Sequence, residues 1–253
     1  MMPTTINNKN LIVLTTGSSG SSVLTGLIAK QGFWLGEKTK KLNFDTYENA
    51  ELVDLNIKIL ELSGFKRRDC NDMPAPSIER ISELINEVDP TPFLKFLKKC
   101  KKNQPWLWKD PRLAYTIHFW AQFKDIKNAD YLFIDRDPKQ SYAGLILSRK
   151  VPMSYQEQII MNQNYKKSCD SCLEKYGLSI YRCLFEDLIL EPEEFIQNLN
   201  NEFGFNISIH DLTEVYKGNL YTKRYNRWSL LKAKIQYLLY KHIKKDYIRF
   251  PRS

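Results

Sequence analysis

Residues 11–32, LIVLTTGSSGSSVLTGLIAKQG, constrain this chain more than any other stretch. Leu11 to Leu14 form a short, continuous, β-branched-rich apolar run, the pattern of a strand covered on both faces in a parallel sheet. Small residues follow from Thr15 to Ser22. Val23, Leu24, Leu27 and Ile28 then recur at helical spacing until Gly32 ends the helix. The order is strand, Gly/Ser-rich loop, helix.

The remainder continues the alternation. Further strands are predicted at Trp106–Lys109, Tyr131–Asp135 and Leu178–Cys183. Helical periodicity covers roughly 48–62, 77–88, 91–102, 112–124, 138–149 and 155–176, with the Pro74 to Pro76 stretch and Pro90 as breaks. Helices dominate after Leu190. Such alternation predicts an α/β fold of three layers, a central parallel sheet flanked by helices and joined by right-handed crossovers. With 253 residues and neither an internal repeat nor a low-complexity linker, residues 1–253 are read as a single domain.

In a strand-to-helix turn of this kind glycines let the backbone approach an anion. Successive N–H groups form a nest, and the helix N-terminus adds positive potential. Gly17, Ser18, Ser19, Gly20, Ser21 and Ser22 are therefore a candidate phosphate cradle, although any short βα connection can use small residues. The ATPase and kinase pattern needs a Lys before the final hydroxyl residue, and Gly20 is followed by Ser21 and Ser22 instead. That disfavours an ATP kinase.

Two more strand ends carry anion-binding chemistry. The second predicted strand runs into Lys109, Asp110, Pro111 and Arg112; ligands of doubly wound sheets sit beyond the carboxyl ends of strands, the same crevice as the first loop. A helix start, with Asp110 as cap and Pro111 in the first turn, explains the same residues. The third strand ends at Arg136, with Ser141 in the next helix. The planar fork of Arg136 suits a second phosphate of the same ligand, or a surface ion pair with Asp135 or Asp137. Co-occurrence at three strand ends of one sheet favours a single anion-binding crevice.

Four stretches in order now resemble the bacterial type of sulfotransferase that uses 3′-phosphoadenosine 5′-phosphosulfate (PAPS): LTTGSSGSSVLTGLIAKQGFWLGE, WLWKDPRLAYTIHFW, DYLFIDRDPKQSYAGLILSR and YRCLFEDLILEPEEFIQNLNNEFGF. They cover roughly residues 10–36 and 105–206. The resemblance implies a P-loop-like fold in which residues 17–22 grip the 5′-phosphosulfate and Arg136, with a helix Ser, holds the 3′-phosphate. The family's usual Ser position falls on Gly144, so Ser141 or Ser148 would substitute. The family also usually has Lys or Arg where this chain has Ser18. That residue neutralises charge on the leaving phosphate, a task left to Lys109, Arg112 or Lys38.

The implied reaction is in-line sulfuryl transfer to an acceptor hydroxyl or amine, needing positioning and charge stabilisation and no metal. Asp110 is the candidate general base, with Glu37 and His118 behind it; Asp110 as a cap that orients Lys109 is the competing role. Glu186 and Asp187 of the FEDL turn read as structural. Lys217, Lys223 and Arg224 are candidates to close over the 3′-phosphate or the acceptor. A catalytically silent PAPS- or glycan-binding relative is the principal alternative, supported by Ser18, and a P-loop kinase is the other.

Charge and cysteines bound the setting. Residues 221–253 hold ten Lys or Arg against one acid, Asp246, which accounts for the whole net charge of +9. The segment mixes apolar and basic residues at helical spacing. It reads as a terminal helix packed on the core, with an interfacial helix touching an acidic glycan or a membrane surface as the alternative; nucleic acid is not expected. Five cysteines with no framework spacing, and a lone Cys169-x-x-Cys172 without a second pair, argue for reduced thiols rather than a disulfide scaffold or zinc site. The apolar run from Leu11 breaks at Thr15 to Ser22, so neither a signal peptide nor a membrane span is predicted and the expected location is the cytoplasm. The acceptor, a saccharide, lipid-linked glycan or small metabolite, is encoded in no motif.

Overall fold

The structure, a computed structural model, describes residues 9–41, 45–65, 75–148, 150–151, 153–216 and 227–243. Among them six strands run in chain order: β1 (Leu11–Thr15), β2 (Thr39–Lys41), β3 (Asp45–Asn49), β4 (Leu107–Lys109), β5 (Asp130–Asp135) and β6 (Tyr181–Leu184). The helices are α1 (Ser21–Ala29), α2 (Ala50–Leu62), α3 (Ile78–Glu83), α4 (Thr91–Lys102), α5 (Leu113–Trp120), α6 (Lys124–Lys127), α7 (Pro138–Leu147), α8 (Tyr155–Tyr176), α9 (Phe185–Leu190), α10 (Pro192–Phe203), α11 (Ile209–Val215) and α12 (Arg227–Ile243). The central sheet is parallel throughout, in the order β4-β1-β5-β6. Helices cover both of its faces, as the alternation predicts.

Strand alternation builds two cores. Leu11, Val13, Leu107, Leu132 and Ile134 point to one layer, where Leu24, Leu27 and Ile28 of α1, Phe185 and Leu188 of α9 and Leu199 of α10 cover them. Ile12, Leu14, Trp106, Trp108, Tyr131 and Phe133 point to the other, among residues of α2, α4, α5 and α8. There Trp106 and Trp108 lie with ring centroids 4.6 Å apart, and Phe96 stacks on Trp108 at 5.4 Å. Each such side chain, fully buried, stabilises by about 1.5–3 kcal/mol, so the short β4 is anchored mainly by its aromatic side chains.

The long helix α8 starts with a capping box from Ser154 and Glu157 and ends at Gly177 in the left-handed conformation, which accounts for its sharp limits. The helix expected over 77–88 is shorter and finishes in a 3₁₀ turn at Leu84–Asn86. The main difference from expectation is the antiparallel pair β2–β3, whose last two residues, Glu48 and Asn49, fall within the span read as helical. Asn49 accepts from the backbone N–H of Glu51 and Leu52 at 3.0 and 3.3 Å, so α2 begins after it and not at 48. Strands of three and five residues carry too few alternations to show a period. Among the described residues no helix is long and apolar enough to cross a membrane.

Candidate functional site

β1 lies between β4 and β5, so the loop that follows it is flanked by the ends of both neighbours. Alternation selects which side chains reach it. Leu107 faces α1, and Lys109, two residues on, shares that side, whereas Trp108 and Asp110 turn to the other layer. Leu132 and Ile134 face α1 likewise, so Arg136 follows them, while Asp135 turns away to pair with Lys166 of α8. Two cations thus bracket one loop from opposite sides.

The loop itself is held by its carbonyls. Ser141 Oγ donates to the Gly17 carbonyl at 3.2 Å, Arg136 Nη1 donates to the Ser18 carbonyl at 3.2 Å, and Thr25 Oγ1 donates to the Ser21 carbonyl at 2.7 Å. Within a trans peptide the N–H points opposite to the C=O of the same unit, so pinning the carbonyls of Gly17 and Ser18 turns the amides of Ser18 and Ser19 away from these donors. Ser18 (φ 61°) and Gly20 (φ 79°) both adopt the left-handed conformation, the alternation that builds an anion nest. At Gly20 the need for glycine is double, since a Cβ there would lie 2.3 Å from the Phe185 ring. Ser19 is bound through its hydroxyl to Thr15. The Ser18 hydroxyl is buried, with no hydrogen-bond partner among the described residues. No acid occupies the first turn of α1, leaving the positive end of the helix unopposed there.

Lys109, only 3% exposed, reaches the start of α1: its Nζ donates to Ser22 Oγ at 3.3 Å, to the Thr46 carbonyl at 3.3 Å and to Glu48 Oε1 at 2.7 Å. Glu48 and Thr46 belong to β3, which lies against α1 because Gly26 has no side chain; a Cβ at Gly26 would come within 2.6 Å of the Tyr47 ring. On the other side Arg136 stacks over Phe185 (5.1 Å) and forms an ion pair with buried Glu186 (3.5 Å), which also accepts from the Asp137 N–H at 2.9 Å. Burial pushes the Glu186 carboxyl up from its ordinary range, and Arg136 opposes the shift. Glu186 therefore braces Arg136, in line with a structural role for the FEDL turn.

Of the two serines open for the family's position, Ser141 is fully buried at the loop and receives Gln158 Nε2 at 2.8 Å, whereas Ser148 is exposed at the C-terminus of α7. Gly144 does face Arg136: a Cβ there would sit 3.7 Å from Nη1.

Asp110, expected to take the acceptor's proton, is enclosed by hydrogen-bond donors. Asp110 is 0% exposed and accepts from Asn56 Nδ2 at 2.8 Å, from the Arg112 N–H at 3.0 Å and from Arg112 Nη1 at 2.9 Å. It joins a buried network in which Asn56 Oδ1 also receives Thr116 and Trp120. Asp110 holds Arg112 in the turn ahead of α5; the carboxylate on Lys109 is Glu48. His118 is buried between α5 and α8, its Nε2 2.9 Å from the Ser168 carbonyl, and burial lowers its pKa. Glu37 and Lys38 are exposed ahead of β2. Cys169 and Cys172 are buried on α8, and burial pushes the Cys172 thiol up to about 12, as it does Cys100. Among the described residues no His, Cys, Asp and Glu cluster is arranged to hold a metal ion. Lys217, Lys223, Arg224 and Cys70 lie outside the described residues.

No sequence-family profile matches the chain. No curated protein matches it either. Among solved structures it is similar to the sulfotransferase domain from the curacin biosynthetic pathway, at 13% identity and a TM-score of 0.49, over 96% of this chain and 93% of that one. It is similar also to the sulfotransferase domain from the Synechococcus PCC 7002 olefin synthase, at 14% identity and a TM-score of 0.46, over 95% and 90%. A third is sulfotransferase STF9 from Mycobacterium avium, at 12% identity and a TM-score of 0.45, over 97% and 79%. All three are sulfotransferases.

Sequence reasoning missed Glu48 as a site residue and read Glu186 without its partner. The signal for Glu186 was the FEDL turn after a strand. For Glu48 none was legible, because its place depends on the β2–β3 pair.

Proposed function

We propose that this chain is a sulfotransferase that moves the sulfuryl group of PAPS to an acceptor hydroxyl or amine. The observation that carries this reading is the bracketing of one left-handed Gly/Ser loop by Lys109 on the β4 side and by Arg136 with Ser141 on the β5 side. A ligand with phosphate groups at two separated positions matches two separated cations better than ATP does, whose phosphates lie in a single row. The residues present fit such a co-substrate: the nest at 17–22 offers amides, and the buried Ser18 hydroxyl has a hydrogen bond still to make.

In this reading Lys109 takes over the charge that a basic residue at position 18 would supply, since it already touches Ser22 at the start of α1. Glu48, 2.7 Å from Lys109 Nζ, accepts the acceptor's proton as the acceptor oxygen or nitrogen bonds to sulfur and the sulfur–oxygen bond to the 5′-phosphate breaks. Asp110 and Arg112 hold the end of β4.

A second reading, a PAPS-binding protein without turnover, is favoured by Ser18 alone. Melting of the purified protein with PAP, ADP and AMP, repeated for Arg136→Ala, tests the ligand. Selective stabilisation by PAP, reduced by about tenfold or more in apparent affinity in the variant, is expected. Equal stabilisation by all three nucleotides overturns the assignment. Turnover of PAPS with a panel of acceptors then separates enzyme from silent binder, and Glu48→Gln should abolish turnover while leaving PAP stabilisation in place.

A further inference from the structure

α12 has two apolar faces. Leu230, Ala233 and Tyr237 pack against Tyr142, Ala143 and Ile146 of α7 and neighbouring Tyr155, the terminal packing expected from the sequence. On the other side Leu231, Ile235, Leu238 and Leu239 are 48%, 51%, 54% and 52% exposed, and Trp228 at the helix start is 72% exposed. At 3.6 residues per turn these positions share an arc about 100° wide, opposite the packed face. A lone exposed leucine needs no explanation, but a continuous stripe over about three turns marks a contact surface.

Charge decides what it contacts. Exposed Arg227 and Lys234 border the stripe along one edge and Lys232 along the other. No acid occurs between Tyr216 and Lys245, and the segment 221–253 carries nine positive charges net. Two copies meeting through this stripe would set like charge against like. A bilayer with anionic headgroups accepts both features at once, the apolar arc at the headgroup–acyl boundary and the flanking cations among the headgroups. We propose that α12 lies flat on an anionic membrane surface while its opposite face stays docked on α7. At 17 residues with cations along its length, it rests on a bilayer and does not span it.

The test is co-sedimentation of the full chain with phosphatidylcholine vesicles, with and without phosphatidylglycerol, at low and high salt. Retention on the anionic vesicles, weakened by salt and about tenfold weaker in a Leu231→Ser/Leu238→Ser variant, is expected, with a blue shift of tryptophan emission from Trp228. Both serines fall on exposed positions, so unchanged melting of the variant checks that the fold is intact. Equal retention with and without phosphatidylglycerol would overturn the proposal, as would retention indifferent to the double substitution. A dimer in sedimentation velocity that the same substitutions dissolve, without vesicle binding, would overturn it in favour of a second copy.

Discussion

The ends of β4 and β5 are built alike and used differently. Each closes on an adjacent acid–base pair, Lys109–Asp110 and Asp135–Arg136, and in each the cation turns toward α1 while the acid turns to the opposite layer. Each cation also carries one carboxylate from a distant element, Glu48 from β3 or Glu186 from α9. Their targets differ. Lys109 reaches a side-chain hydroxyl at the helix end, where charge on a transferring group would develop, whereas Arg136 grips a loop carbonyl and an aromatic ring. Under the proposed function the β4 end serves the chemistry and the β5 end recognition.

The sharpest way to break this comparison is Lys109→Met. If Lys109 stabilises the departing phosphate, turnover of PAPS should fall by about 10²–10³-fold, with a much smaller loss of PAP affinity measured by calorimetry. Equal losses in both would make Lys109 a binding residue and erase the distinction. Next in size is Asp110→Ala, which leaves Asn56 and Arg112 without their buried acceptor; melting should report a loss of about 3 kcal/mol, with preference for PAP over ADP retained.

These two substitutions concern neighbours in the sequence, and they show how far the sequence was legible. The strand, loop and helix from Leu11 to Gly32 could be read because a short apolar run passes into a 3.6-residue period across glycines. The parallel sheet followed from the alternation of such units. Even the opposite fates of Lys109 and Asp110 are implicit in the period of two, since Asp110 shares its parity with Trp106 and Trp108, which belong in a core. What could not be read was partnership across distance. Glu48 meets Lys109 only because a glycine at 26 lets β3 approach α1, and Glu186 meets Arg136 only because β6 lies beside β5.

Two smaller effects sharpen the picture. Ser18→Gly relieves a left-handed non-glycine residue and removes a hydroxyl that has no partner, so it should stabilise by about 1 kcal/mol, or roughly 2–4 °C in melting temperature. In the PAP-bound state the gain should shrink, because the hydroxyl is then satisfied in the parent. Glu186 has a carboxyl raised by burial. Its contribution to stability is present below the unfolded-state value and is lost as pH rises through the raised folded value. Glu186→Gln, which keeps an acceptor for the Asp137 N–H, should flatten melting temperature against pH across that window, the smallest of these effects.

One ring joins the two ends of the site. Phe185 fills the space that a side chain at Gly20 would need, and it carries Arg136 on its face. Any substituent at position 20 pushes the ring and disturbs the guanidinium stacked on it, so damage to the loop is felt at Arg136. Positions 20, 136 and 185 are consequently one mechanical unit: the ring keeps its place under the guanidinium only while position 20 carries no side chain.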